Sequence, residues 1–254
     1  MSSTANANSA ESAMDAFWEN VRTILYALAL AMLIRFTFAQ PFRIPSGSMQ
    51  PTLEEGDYIV VTKWSYGYGR YSFAPLEGVL PHGRFLGDLP ARGDVVVFRP
   101  PPDPSRDFVK RLIGMPGDRI RMIDGALYIN GEPVERESLG IVPFELPDGS
   151  ILDVQAYRET LPGDDVSHVV FDRGESTLDN TREYVVPEGH YFMMGDDRDA
   201  SADSRTPEVE YVPLENFIGP AQFVVASFDG STSLLKPWTL ATGFRGERFL
   251  KKVE

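Results

Sequence analysis

Residues 92–131 read RGDVVVFRPPPDPSRDFVKRLIGMPGDRIRMIDGALYING. Short β-branched and aromatic runs at 93–100, 108–114 and 118–131 are each bounded by Gly, Pro or Asp, the punctuation of strands rather than helices. Asp124-Gly125 and Asn130-Gly131 are tight hairpin signals. Working outward, DYIVVTK (57–63), YFMMGD (191–196) and GPAQFVVASFD (219–229) repeat the pattern. No long amphipathic helix follows residue 40. The expected fold is mostly β.

The N-terminal end differs. Residues 1–16, rich in Ser, Ala and Asn, suggest a mobile tail. Residues 17–39 read FWENVRTILYALALAMLIRFTFA, with an uninterrupted apolar centre at 23–34. That centre is shorter than the roughly 20 residues of a spanning helix. Full length is reached if Arg22 and Arg35 extend toward the headgroups at its two ends. A transmembrane signal-anchor helix is the preferred reading. A cleavable signal peptide, with Thr37 and Ala39 at the cleavage site, and a buried soluble helix are the alternatives. Charge does not fix the orientation: Glu11, Asp15 and Glu19 accompany Arg22 on one side, while Arg35 and Arg43 lie on the other.

The β body is expected over 40–131 and 189–236. Between them, 132–188 is polar, acidic and turn-rich, with PDGS at 147–150 and PGDD at 162–165. So long a stretch predicts an inserted β-rich subdomain rather than a bare loop. The C-terminal segment 237–254 is more basic and reads as peripheral.

Composition narrows the chemistry. The 254-residue chain is 43% hydrophobic and 24% charged, as globular proteins are. A net charge of −13 argues against a nucleic-acid partner. With no cysteine, disulfides, thiolate metal sites and a cysteine nucleophile are excluded. His82, His168 and His190 have no metal-ligand spacing. No metal or cofactor is expected; none of the three histidines lies in the clusters described next, so all three are expected to be non-catalytic.

Three clusters could carry chemistry. In FRIPSGSMQPTLEEGD (42–57), Ser46 and Ser48 flank Gly47, and such a turn can aim a hydroxyl and a backbone N–H at one point; an ordinary loop is the bland alternative. In FVKRLIG, strand alternation puts Lys110 on one face with Phe108 and Leu112, and Arg111 on the other. An amine stripped of water there would need its pKa lowered by about 3.4 units to be half neutral at pH 7, within the reach of burial, and would then serve as a general base. A solvated edge-strand lysine is the alternative. In MGDDRDASADSR (194–205), four aspartates lie among two arginines, which favours Asp–Arg pairs fixing a loop over a calcium site.

Taken together and in this order, PSGSMQPTL, RGDVVVF with FVKRLIGMPGD, and MGDDRDASADSR resemble the motif boxes of bacterial type I signal peptidases, Ser/Lys-dyad serine proteases with an N-terminal anchor. The resemblance spans roughly 40–230, and 132–188 adds little to it. It implies a signal-peptidase-like β-fold and a serine endopeptidase. It makes Ser48 the nucleophile and Lys110 the general base and acid. Ser46, with the Ser48 N–H, becomes the oxyanion hole. Ser201 becomes the residue orienting the lysine, and Gly195, Asp196, Asp203 and Arg205 its supporting network. Asp197 and Ala200 depart from the commonest family text, where Asn is frequent.

The resemblance further implies preprotein signal peptides as substrates, with small residues at the first and third positions before the cut. Ile44, Met49, Leu53 and Val109 are candidate linings for shallow pockets that admit them. It implies the bacterial inner membrane as location, single-pass with the catalytic domain on the periplasmic side, near the export translocase. Phe73, Phe85 and Leu86, in the aromatic and glycine-rich stretch 64–90, could touch lipid. A conjugation-type or pilin-processing peptidase, a self-cleaving SOS-type repressor, an inactive homologue and a membrane-tethered β domain that only binds peptides are the rival readings.

Overall fold

The computed structural model describes residues 3–73, 83–145, 150–163, 166–230, 232 and 239–254. His82, part of PDGS and part of PGDD fall outside them, as does the Phe73 side chain.

The chain begins with α1 (Ser3–Thr37), and β1 (Ala39–Arg43) follows after one residue. Next come β2 (Asp57–Thr62), β3 (Val95–Phe98), β4 (Phe108–Gly114), β5 (Arg119–Ile123), β6 (Ala126–Ile129) and β7 (Glu132–Pro133). Then follow β8 (Glu135–Glu145), β9 (Ile151–Thr160), β10 (Ser167–Asp172), β11 (Tyr184–Val185) and β12 (His190–Met194). Last are β13 (Val212–Pro213), β14 (Phe217–Ser227) and β15 (Lys251–Lys252). The protein is mostly β, as its short bounded runs predict.

The expected tail at 1–16 is helical from Ser3 on. Its alanines favour helix, and α1 simply continues through them. Within α1, Ala16–Arg35 is long and apolar enough to cross a membrane, and none of that stretch is buried. Phe38 at the junction packs edge-on against Trp64, 6.0 Å between ring centres. Phe85, bridged to Tyr68, and Leu86 are exposed, Leu86 by 80%.

The main sheet runs β1-β2-β14-β3-β4-β12-β13, with β15 added to β14. β14 pairs with β3 through Phe217–Pro220 and with β2 through Ala221–Ser227, with register shifts within each pairing. One apolar layer, including Ile44, Met49, Leu53, Ile59, Val95 and Val97, fills one side of this sheet. A second, including Val96, Phe98, Leu112, Met193 and Phe217, fills the other. Alternation along VVVF splits Val95 and Val97 from Val96 and Phe98 accordingly.

Two smaller antiparallel sheets stand beside it, one ordered β11-β5-β6-β7 and one β10-β9-β8. The turns Asp124-Gly125 and Asn130-Gly131 take left-handed φ at all four residues and close two-residue hairpins, as that sequence pattern requires. The β8–β10 sheet joins the rest at Phe171. Its N–H donates to the Asp196 carbonyl and its carbonyl accepts from Arg198 N–H, both at 2.9 Å. The buried Arg198–Glu159 pair, at 3.0 and 2.5 Å, reinforces that joint.

The expectation of a peripheral C-terminal segment is overturned. Arg248 is buried and forks onto Asp57 at 2.9 and 2.5 Å, reaches Glu54 at 2.7 Å and donates to the Thr52 carbonyl at 3.1 Å. Arg245 binds Glu54 at 2.5 Å. The basic residues are there because the loop before β2 is acidic. Arg248→Ala would leave the wholly buried Asp57 with only the Glu54 N–H at 2.8 Å and the more distant Arg245 at 3.9 Å. It should lower stability by about 3 kcal/mol, read by equilibrium denaturation of the detergent-solubilised chain. A loss of only about 0.5 kcal/mol, as for an exposed pair, would contradict this account.

Candidate active site

The β1–β2 connection, 44–56, carries Ser46 and Ser48. Its base is closed by Ile44 N–H to the Asp57 carbonyl (2.8 Å) and Gly56 N–H to the Ile44 carbonyl (2.9 Å). Gly56 has φ +89°, and a Cβ there would lie 1.9 Å from the Phe228 carbonyl oxygen, so only glycine fits. Met49 and Leu53, one helical turn apart and joined by a 2.9 Å backbone hydrogen bond, plug into the core. They anchor the loop from below and leave Ser48 at its upper side.

Lys110 lies on β4, opposite Val96 of β3. It is 4% exposed, Ser48 is 9% exposed, and Lys110 Nζ is hydrogen-bonded to Ser48 Oγ at 2.5 Å. Nζ also sits 5.6 Å from the Phe108 ring centre, on the face that alternation predicts. Burial pushes the amine down from 10.5 to about 8; Asp203 and Asp196 oppose that shift, and Arg205 adds to it.

Arg111 points the other way and is fully buried. It forks onto Asp196 at 2.9 and 2.7 Å, and Thr52 Oγ1 donates to the same carboxylate at 2.5 Å. Burial alone would raise the Asp196 carboxyl, but Arg111 holds it below the usual range. Arg205 forks onto Asp203 at 2.8 Å twice and donates to the Arg198 carbonyl at 2.6 Å. Asp203 also accepts from Gly195 N–H at 3.1 Å. Burial works against the Asp203 charge too, and Arg205 overrides it.

Gly195 stands between the parts. A Cβ on it would fall 2.2 Å from Ser201 Oγ and 2.4 Å from the Ser48 carbonyl oxygen. Ser201 helps keep Asp203 charged, yet its buried hydroxyl has no partner at hydrogen-bonding geometry among the described residues. The expected bond from Ser201 to Lys110 is not made; the amine is turned to Ser48 instead.

Ser46 is exposed and lines an open cleft of about 1110 Å³ together with Ser48, Lys110 and Val109. Of the four pocket candidates only Val109 lines it. Ile44, Met49 and Leu53 are core residues, because the loop uses their apolar bulk as its anchor. Sequence reasoning missed the other wall, where Pro143, Phe144, Phe171 and Arg173 come from the β8–β10 sheet. The aromatic residues in that polar stretch were the available signal.

Neither described histidine touches Ser48 or Lys110. His190 bonds the Glu188 carbonyl at 2.9 Å. His168 is buried 4.0 Å from Asp196, and burial, aided by Arg111, holds it well below its usual pKa and so neutral. Gly195→Ala should shift the Ser48 backbone and lower the melting temperature of the detergent-solubilised chain by several degrees, on the order of 1–3 kcal/mol of overpacking. An unchanged melting curve would contradict the close packing.

Comparison with known proteins bears on this arrangement. The family described as "Signal peptidase, peptidase S26" matches residues 17–226. Signal peptidase I of Rickettsia typhi is 40% identical over 231 residues, covering 84% of this chain and 86% of that protein. Signal peptidase I of Rickettsia akari is 42% identical over 209 residues, covering 78% and 76%. A solved signal peptidase I from Enterococcus faecalis shares 27% identity, covering 52% of this chain and 97% of that one, with a TM-score of 0.30, too loose a superposition to inform the fold. The chain belongs to the signal peptidase family, peptidase S26, and is a serine endopeptidase.

Proposed function

We propose that this protein is a membrane-bound endopeptidase that removes N-terminal signal peptides from exported preproteins by Ser/Lys acyl-enzyme hydrolysis. The observation that carries the reading is the 2.5 Å contact between two buried groups, Lys110 Nζ and Ser48 Oγ. An amine held near pKa 8 is neutral in a useful fraction of molecules near neutral pH, whereas an exposed lysine is not.

Neutral Lys110 accepts the Ser48 proton as Oγ attacks the scissile carbonyl carbon. The carbonyl oxygen becomes an oxyanion, met by the Ser48 N–H and the Ser46 hydroxyl across the cleft. When the C–N bond breaks, the Lys110 ammonium returns the proton to the leaving amine. A water deprotonated by the same lysine then attacks the ester and frees Ser48. The Arg205–Asp203 and Arg111–Asp196 pairs hold the surrounding loops, and Ser201 would turn toward the lysine during the cycle. Small residues at the first and third positions before the cut suit a cleft floored by Val109.

Membrane attachment rests on α1, whose apolar span is unburied among the described residues, and on the exposed Phe85 and Leu86. The inner membrane, a periplasmic catalytic domain and a place near the export translocase complete the reading. An anchored enzyme meets a bilayer-held substrate at raised effective concentration.

Cleavage of a preprotein by the detergent-solubilised chain should fall by at least about a thousandfold in Ser48→Ala and in Lys110→Ala. Cleavage by all three alike would end the proposed mechanism. The lysine must lose its proton to act. Cleavage efficiency of the parent, as kcat/KM, should therefore rise with pH through a midpoint near 8. A rise centred near 10.5, the ordinary lysine value, would mean the amine is not desolvated in the working enzyme. His190→Ala and His168→Ala should each retain cleavage once their folded fractions are matched by circular dichroism; abolition in a folded variant would put a histidine into the chemistry.

A further inference from the structure

Among the cleft residues that the β8–β10 sheet supplies, Arg173 carries the charge. Arg173, just past the end of β10, aims its guanidinium at Asp197. Nε lies 3.1 and 3.2 Å from the two carboxylate oxygens and Nη2 lies 2.6 Å from Oδ2. The Arg173 N–H donates to Asp199 at 2.7 Å, and the guanidinium stacks 4.8 Å from the Phe144 ring centre. Asp197 is 0% exposed. Its own N–H donates to the Ser48 carbonyl at 3.3 Å. One residue is thus bonded both to the nucleophile's backbone and to an arginine from another sheet.

We infer that Arg173 is a positioning residue of the reaction: by neutralising Asp197 it lets the inserted sheet hold the Ser48 backbone and keeps a buried carboxylate from acting as an unbalanced charge beside Lys110. The inference rests on the Ser/Lys reading above and extends it to a part of the chain outside the family motifs. A buried carboxylate is tolerated only when paired. Burial pushes the Asp197 carboxyl up, and Arg173 is the group that opposes this most; Asp199, a like charge nearby, adds to the rise. Asp203, Asp196, Arg205 and Asp197 are the charged groups acting on Lys110, and Asp197 is among those that favour its ammonium form. Without Arg173, an ionised Asp197 makes the amine harder to neutralise, and a protonated one loses the fork that fixes the backbone beneath Ser48.

A double-mutant cycle of Arg173→Ala and Asp197→Asn tests this, using the full chain in detergent with a preprotein substrate. Cleavage by the parent and its absence in Ser48→Ala secure the underlying reading first, so the cycle then tests the inference alone. Arg173→Ala should lower kcat/KM by about tenfold and move the acidic limb of the pH profile upward; in the Asp197→Asn background the same change should cost less than about twofold and leave the limb in place. Arg173→Lys, which keeps the charge and loses the fork, should lower kcat while leaving the limb at the parental pH. It also serves where Arg173→Ala fails to fold. An equal loss in both backgrounds, or no loss in either, overturns the inference.

Discussion

An amine with almost no access to water sits against a serine hydroxyl, and much of the surrounding structure follows from that. Lys110 cannot be dried by its own strand alone, because β4 offers it only Phe108 and Leu112 as neighbours on that face. The drying is completed by the 44–56 loop, which brings Ser48 over it, and by the 195–205 segment, which packs Gly195 against the Ser48 carbonyl. Both are irregular segments and would wander without anchors. Met49 and Leu53 anchor the first through apolar burial, and arginine–carboxylate forks anchor the second.

Those forks share one logic. Arg111–Asp196, Arg205–Asp203, Arg198–Glu159 and Arg248–Asp57 are all close to fully buried on both sides. Such pairs add little net stability, since desolvation offsets most of their attraction, yet breaking one is costly. Their value is geometric. A bidentate fork fixes direction as well as distance, so it suits loops that must present a hydroxyl and an amine to each other. The same charges tune the amine: aspartates pull its pKa up, Arg205 and burial push it down, and the balance stands near 8.

The sequence revealed the fold class because strand length, β-branching and the two hairpin dipeptides are local properties. It marked Ser46, Ser48 and Lys110 as candidates because a glycine turn and an apolar strand face are also local; the resemblance to signal peptidases is what assigned Ser48 and Lys110 their roles. Three things were not local. The anchoring role of Met49 and Leu53 depends on which side of the loop faces the core, and apolar character alone suits a pocket equally well. The integration of 239–254 depends on Glu54 and Asp57 waiting some 190 residues earlier for Arg248. The contribution of the β8–β10 sheet to the cleft depends on how that sheet docks at Phe171, which no periodicity encodes.

A single residue, Phe38, separates the end of α1 from the start of β1. It is pinned on both sides, its N–H donating to the Ile34 carbonyl at 2.8 Å and its carbonyl accepting from Lys63 N–H at 3.0 Å. So stiff a stem does not let the β body swing like a ball on a string. With α1 read as the membrane anchor, the slant of the helix in the bilayer would carry over to the β body. The height of the cleft above the lipid would then bear on where a secreted chain is cut, a ruler built from backbone before any side chain of the substrate is read.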